Sequence, residues 1–134
     1  MCGRYEIHNS PQMLMLYFLL AEEPTAYSNA DVRPTNEVPI IRIRDGNRLA
    51  LPARWGLIPS WAKDAAIAQH TFNARAETLA EKPSFRSAFR RRRCIVPMTA
   101  FFEWRAIAGQ KKKEKLRFAN TDGNPLAVAG LWER

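Results

Sequence analysis

The sequence predicts an α+β fold dominated by strands, organised as one domain over residues 1–134. Three observations predict it. Short runs rich in Val, Ile, Leu and Phe recur through the second half: "CIVPM", "FFEWRA", "EKLRFAN" and "PLAVAGLWER". Two further β-rich runs flank the turn Asp45-Gly46-Asn47 within "VPIIRIRDGNRLALPARWGL", the pattern of a tight hairpin. A single apolar stretch of helical length, Met13 to Ala21, follows a Ser10-Pro11 start signal.

In chain order, Pro11 behind Asn9 and Ser10 starts a helix, and Met13 to Ala21 is expected to be buried. The stretch is far short of the roughly 18 residues that span a bilayer. It also makes a poor signal peptide, because Glu6 interrupts the basic leader and "EEPTAYS" is a poor cleavage site. "EEPTAYSNADVRPTNE" reads as loop, followed by the hairpin. "IPSWAKDAAIAQHTF" holds a loop around Trp61 and a short helix, and "NARAETLAEKPSFRSAFRRRR" is helical in pieces, broken at Pro83. The four later strands follow, with Asp122-Gly123 as a turn.

Lys and Arg number 21 against 13 acidic residues, a net charge of +8. Such an excess on a small domain fits a polyanionic partner, nucleic acid first, or else a soluble basic protein with scattered charge. The basic residues cluster in "RSAFRRRR" (Arg86 to Arg93) and "KKKEKLR" (Lys111 to Arg117, on a hairpin tip). Trp55, Trp61, Trp104 and Trp132 supply rings on which bases could stack. Two cysteines, Cys2 and Cys94, make no disulfide framework, and His8 and His70 complete no zinc spacing. No metal or cofactor is expected, and the cysteine usage fits a reducing, cytoplasmic compartment.

Cys2 is the residue with unusual chemistry. Removal of Met1, the ordinary fate of an initiator before a small residue, would leave an α-amine and a thiol on one residue. An α-amine titrates near ~7.8, so about 14% of it is neutral at pH 7, against roughly 0.04% of a lysine. The neutral amine attacks an aldehyde to give an imine, and the neighbouring thiol closes on the imine carbon as a five-membered thiazolidine. By position alone the residue reads first as a cysteine on a frayed terminus. Glu103 in "FFEWR" is a carboxylate among bulky apolar groups, a general acid or base or else a surface charge on a strand. Asn73 in "TFNARAET" can orient a substrate or serve as a turn residue.

"MCGRY", "RPTNEVPIIR", "ARWGLIPSWAKD", "NARAET", "CIVPMTAFFEWR" and "LAVAGLWE" stand in that order. The set resembles the SRAP family (SOS response-associated peptidase). The resemblance implies a bifurcated β-sheet curled into a pseudo-barrel with flanking helices. It implies a DNA-damage protein that binds single-stranded DNA and captures abasic sites through Cys2 as a thiazolidine crosslink. The alternatives are a non-reacting DNA-binding module and a peptidase that processes its own N-terminus. Asn73 and Glu103 take the other catalytic positions. Arg4, Pro34, Trp61, Arg75 and Trp104 fall on DNA-contacting or site-lining positions. Asp31 and Arg33 depart from an asparagine and an alanine common in the family. The family's histidine-bearing segment is expected beyond Arg134, so the chain reads as lacking the C-terminal part. The implied partners are single-stranded DNA with abasic sites, no membrane, and a separate C-terminal segment or protein completing the fold. The implied location is cytoplasmic and nucleoid-associated.

Overall fold

The computed structural model describes residues 2–134. Met1, on which the aminothiol depends, lies outside the described residues. Among the described residues, eight strands form two antiparallel four-stranded sheets. Their ranges are β1 Tyr5–Ile7, β2 Asn29–Val32, β3 Glu37–Arg44, β4 Asn47–Arg54, β5 Arg93–Met98, β6 Ala100–Arg105, β7 Glu114–Phe118 and β8 Leu126–Leu131. The first sheet has the order β2-β1-β6-β7 and the second β4-β3-β5-β8. The strand-dominated α+β architecture and the later strands are as the sequence predicts.

Alternation along the strands builds the core. Val38 of β3 and Met98 of β5 point one way and meet Tyr5, Ile7 and Val32 of the first sheet. Ile41 and Ile95, of opposite parity, point the other way onto the helix α1, Pro11–Phe18. Each large side chain buried in these clusters contributes roughly 1.5–3 kcal/mol relative to exposure. The hairpin turns where predicted: Asp45 and Gly46 both take positive φ (51° and 79°), as a two-residue connection requires.

Two expectations need correction. The helix is shorter than Met13 to Ala21 and only half-covered. Ser10 caps it, its Oγ accepting the Met13 N–H at 3.1 Å, with Pro11 in the first turn. It ends because Leu19 adopts a left-handed conformation (φ 53°), after which the Leu20 N–H donates to the Met15 carbonyl. Leu14 and Phe18 are buried, whereas Leu16 and Leu19 are each 75% exposed. No glycine marks this end, so the apolar run overshoots it. The stretch read as loop after the helix contains β2. Its only apolar inward residue is Val32, which pairs with Tyr5, so no alternating pattern announces a strand there. Among the described residues no helix is long and apolar enough to cross a membrane.

Between β4 and α2 (Arg86–Arg91) the chain forms a 3-10 turn, Ala65–Gln69. Asp64 accepts the Ala66 N–H there at 2.8 Å. Gly56 permits this segment to pack: its φ is 125°, and a Cβ would come within 3.0 Å of the Ala68 carbonyl oxygen.

Candidate functional site

The amino terminus enters the first sheet next to β6. The Phe102 N–H donates to the Arg4 carbonyl at 3.0 Å, and Tyr5 pairs with Phe101. This register sets the residues before Tyr5 alongside Glu103 and Trp104. Cys2 is half-buried at the rim of the core between the sheets, its thiol donating to the Arg4 carbonyl at 3.4 Å. Burial raises the Cys2 thiol above its ordinary range. A backbone hydrogen bond at Arg4 opposes that shift, and the nearby Glu103 charge adds to it. Glu103 thus lies within electrostatic reach of the sulfur.

Asn73 comes from a remote loop, and its Nδ2 donates to the Cys2 carbonyl at 2.5 Å. That loop is pinned on two sides. The Thr71 hydroxyl shares its one proton between the carbonyls of Leu57 (2.5 Å) and Ile67 (2.9 Å). The Trp55 Nε1–H donates to the Phe72 carbonyl at 2.7 Å. Trp55 also packs its ring against Tyr5 (5.3 Å between centroids) and Phe72 (6.2 Å). Trp55 therefore ties the Asn73 loop to the strand behind Cys2. It was a candidate base-stacking ring by composition; the structure makes it a half-buried strut whose indole N–H is already engaged.

Arg4 sits between two partners. Its Nε donates to Asp31 Oδ1 at 2.7 Å, and its guanidinium lies 5.4 Å from the Trp104 ring centroid. Asp31 also accepts from Arg33 at 2.7 Å, and these two guanidiniums, Arg33 foremost, hold its carboxyl down at about 2. Asp31 and Arg33 therefore form one ion pair with each other.

Pro34 opens a turn in which Thr35 takes φ 81° and the Asn36 N–H reaches the Arg33 carbonyl. The Thr35 N–H donates to the Trp55 carbonyl at 2.8 Å, docking that turn on the same strut. Arg75 lies two residues beyond Asn73, beside a cavity of about 510 Å³ lined by Ala74 to Thr78. Trp61 is tied elsewhere: its Nε1–H donates to the Pro83 carbonyl at 3.4 Å, and its ring is 56% exposed. The structure thus gathers Cys2, Arg4, Asn73, Glu103 and Trp104 into one group, with Pro34 and Arg75 adjoining. Trp61 stands outside that group, on the segment leading to α2. Trp132 is covered by Arg42, 3.9 Å from its centroid, and is not an open ring.

The class defined by this geometry is a two-sheet protein that holds an amino-terminal cysteine among an amide, a carboxylate and an arginine. The family model for SOS response associated peptidase (SRAP) matches residues 1–134, and the chain belongs to that family. It is 40% identical over 139 residues to the abasic site processing protein YoqW of Bacillus subtilis, covering all of this chain and 61% of YoqW. The rat abasic site processing protein HMCES is 36% identical over 72 residues, covering 51% of this chain and 20% of that protein. A crystal structure from Bordetella bronchiseptica aligns with TM-score 0.82 at 34% identity, covering 99% of this chain and 64% of the other. One from Bacteroides thetaiotaomicron aligns with TM-score 0.84 at 28% identity, covering 98% and 61%. The chain spans about three fifths of the length of the Bacillus relative.

Proposed function

We propose that the protein acts on abasic sites in DNA, capturing the ring-opened sugar aldehyde in single-stranded DNA with Cys2. The observation that carries this reading is the Asn73–Cys2 hydrogen bond, which holds residue 2 beside Glu103. Once Met1 is removed, the α-amine of Cys2 adds to the aldehyde carbon. The carbinolamine then loses its oxygen as water to give the imine. The sulfur adds to the imine carbon, and the thiol proton ends on the nitrogen. One C–N and one C–S bond form, and one molecule of water leaves. Glu103 delivers a proton to the departing oxygen and accepts one from the thiol. Asn73 fixes the Cys2 carbonyl and with it the direction of the amine. Arg4 and Arg75 meet phosphates, so binding depends little on base sequence. The reading puts the protein in the cytoplasm, on the nucleoid.

The raised Cys2 thiol disfavours the peptidase alternative, because a thiolate nucleophile is served by a depressed pKa. An amine-first reaction needs no standing thiolate. The test is incubation with a single-stranded oligonucleotide bearing one abasic site, followed by a denaturing gel. A shifted band that is lost in Cys2→Ser is expected. Binding without any denaturant-stable band would overturn covalent capture and leave a DNA-binding module.

A further inference from the structure

We infer that the outer face of α2 is a second contact surface for single-stranded DNA, which extends the Cys2 site along the segment from Arg75 to Arg91. The inference rests on the proposed DNA reading for its ligand, but on different residues.

The segment is a succession of hydrogen-bonded turns that leads into α2. The Leu79 N–H donates to the Arg75 carbonyl, Lys82 to Thr78, Arg86 to Lys82, Phe89 to Phe85 and Arg92 to Ala88. One end adjoins Asn73, which holds Cys2; the other is α2. Phe85 and Ala88 are buried and anchor α2. Arg86, Phe89 and Arg90 stand at i, i+3 and i+4, on one outward face. Phe89 is 37% exposed, a large apolar side chain left in water on the face that also carries Arg86 and Arg90. Arg86, Ser87, Arg90 and Arg91 line a surface cavity of about 320 Å³.

These arginines differ in pairing from Arg92 and from the arginines around the first sheet. Among the described residues they share the lack of an ion-pair partner with Arg44, Arg54 and Arg93; what distinguishes them is that they stand together on one short helix. Arg92, next in sequence, is engaged by Glu133 at 2.9 Å and by Ser87. Arg4, Arg33, Arg105 and Arg117 are likewise paired with carboxylates. Among the described residues no carboxylate lies in ion-pair range of Arg86, Arg90 or Arg91. Three like charges packed on a two-turn helix repel one another and suit an external anion. The exposed ring decides which anion. A positively charged track with aromatic platforms is how unstacked nucleic acid is held, cations on phosphates and rings under bases. Trp61, anchored to Pro83 in the turn ahead of α2, supplies a second ring on the path.

The test uses undamaged oligothymidylates on the Cys2→Ser protein, so it does not depend on capture. One probe is short (six nucleotides, filling the Cys2 group only) and one is long (thirty). Affinity is measured as a function of salt. Each phosphate contact contributes about −0.7 to the log–log slope on a single strand. Combined Arg86→Gln, Arg90→Gln and Arg91→Gln is expected to reduce the slope for the long probe by about 2 and to leave the short probe unchanged. Replacing the same three by Lys should restore it. Phe89→Leu, which keeps the apolar bulk and removes the π-face, should weaken the long probe at least about fivefold. All four side chains are exposed, so folding is checked by an unchanged melting temperature. An unchanged slope for the long probe overturns the inference. So does an equal loss from Lys111→Gln, Lys112→Gln and Lys113→Gln, which would make the effect general charge rather than this surface. A length-dependent loss without crosslinking to abasic DNA would sustain this surface while sinking covalent capture.

Discussion

One cysteine lies just ahead of the first sheet and the other within the second, and the two thiols meet different surroundings. Cys94 of the second sheet is buried inside strand pairing, opposite Gly130, and burial pushes its thiol up to about 11. Cys2 is half-buried against the apolar cluster at the rim of the first sheet, and burial raises its thiol too, with the Arg4 carbonyl and the Glu103 charge nearby. What separates them is what stands nearby: an amide on the Cys2 backbone, a carboxylate in electrostatic reach and an arginine two residues on. The comparison teaches that the two sulfurs differ in their neighbours rather than in the direction of their pKa shift.

The strongest way to break that contrast is to leave both thiols intact and remove only the amine. A protein carrying one unremovable residue ahead of Cys2 should lose the denaturant-stable band on abasic DNA completely. Cys94→Ser should retain it. The gel assay reads both, and crosslinking that survives the blocked amine would rule out the thiazolidine route.

Much of this contrast was legible in the sequence. Cys2, Asn73, Glu103, Arg4 and Trp104 could be nominated from motifs standing in a recognisable order, and the structure brings them to one place. The β-rich runs and the Asp45-Gly46 turn also announced themselves, because period-two apolar patterns and turn residues are local signals. The parts missed depend on tertiary partners. β2 is a strand because β1 offers it an edge, not because "NADV" favours one. Trp55 is a strut because Phe72 presents a carbonyl to it 17 positions away. Trp61 carried a site role by motif, yet its anchor at Pro83 places it on the path toward α2.

The second test falls on the buried cysteine. Gly130 faces Cys94 across β5 and β8, and a Cβ there would lie 2.9 Å from Cys94 Sγ and 2.9 Å from Val96 Cγ2. Gly130→Ala should therefore destabilise the fold by about 1–3 kcal/mol, as overpacking of a filled site does. Adding Cys94→Ala should recover part of that loss and not all, because Val96 still intrudes. Denaturant melts of the two singles and the double give the coupling. Full additivity would mean that the second sheet shifts freely around Cys94, and the contrast between a packed thiol and an accessible one would lose its basis.

The smallest effect comes from Asp31, where the first sheet binds its own charges. Asp31 holds Arg4 and Arg33 together, and its carboxyl is kept at about 2. A carboxylate lowered in the folded state stabilises the fold above its unfolded value near ~3.9, and that contribution is lost as pH falls through about 2. Asp31→Asn should flatten the acid limb of the melting profile between those values. It should also release two guanidiniums beside the Cys2 group. Each that reaches a phosphate steepens the log–log salt slope on single-stranded DNA by about 0.7. Tighter binding at low salt together with a flatter acid limb would mean that this carboxylate competes with DNA for Arg4. A flatter acid limb with an unchanged slope would mean that Arg4 serves Trp104 and the backbone of β6 alone. The phosphate contacts of the site would then rest with Arg75 and the segment beyond it.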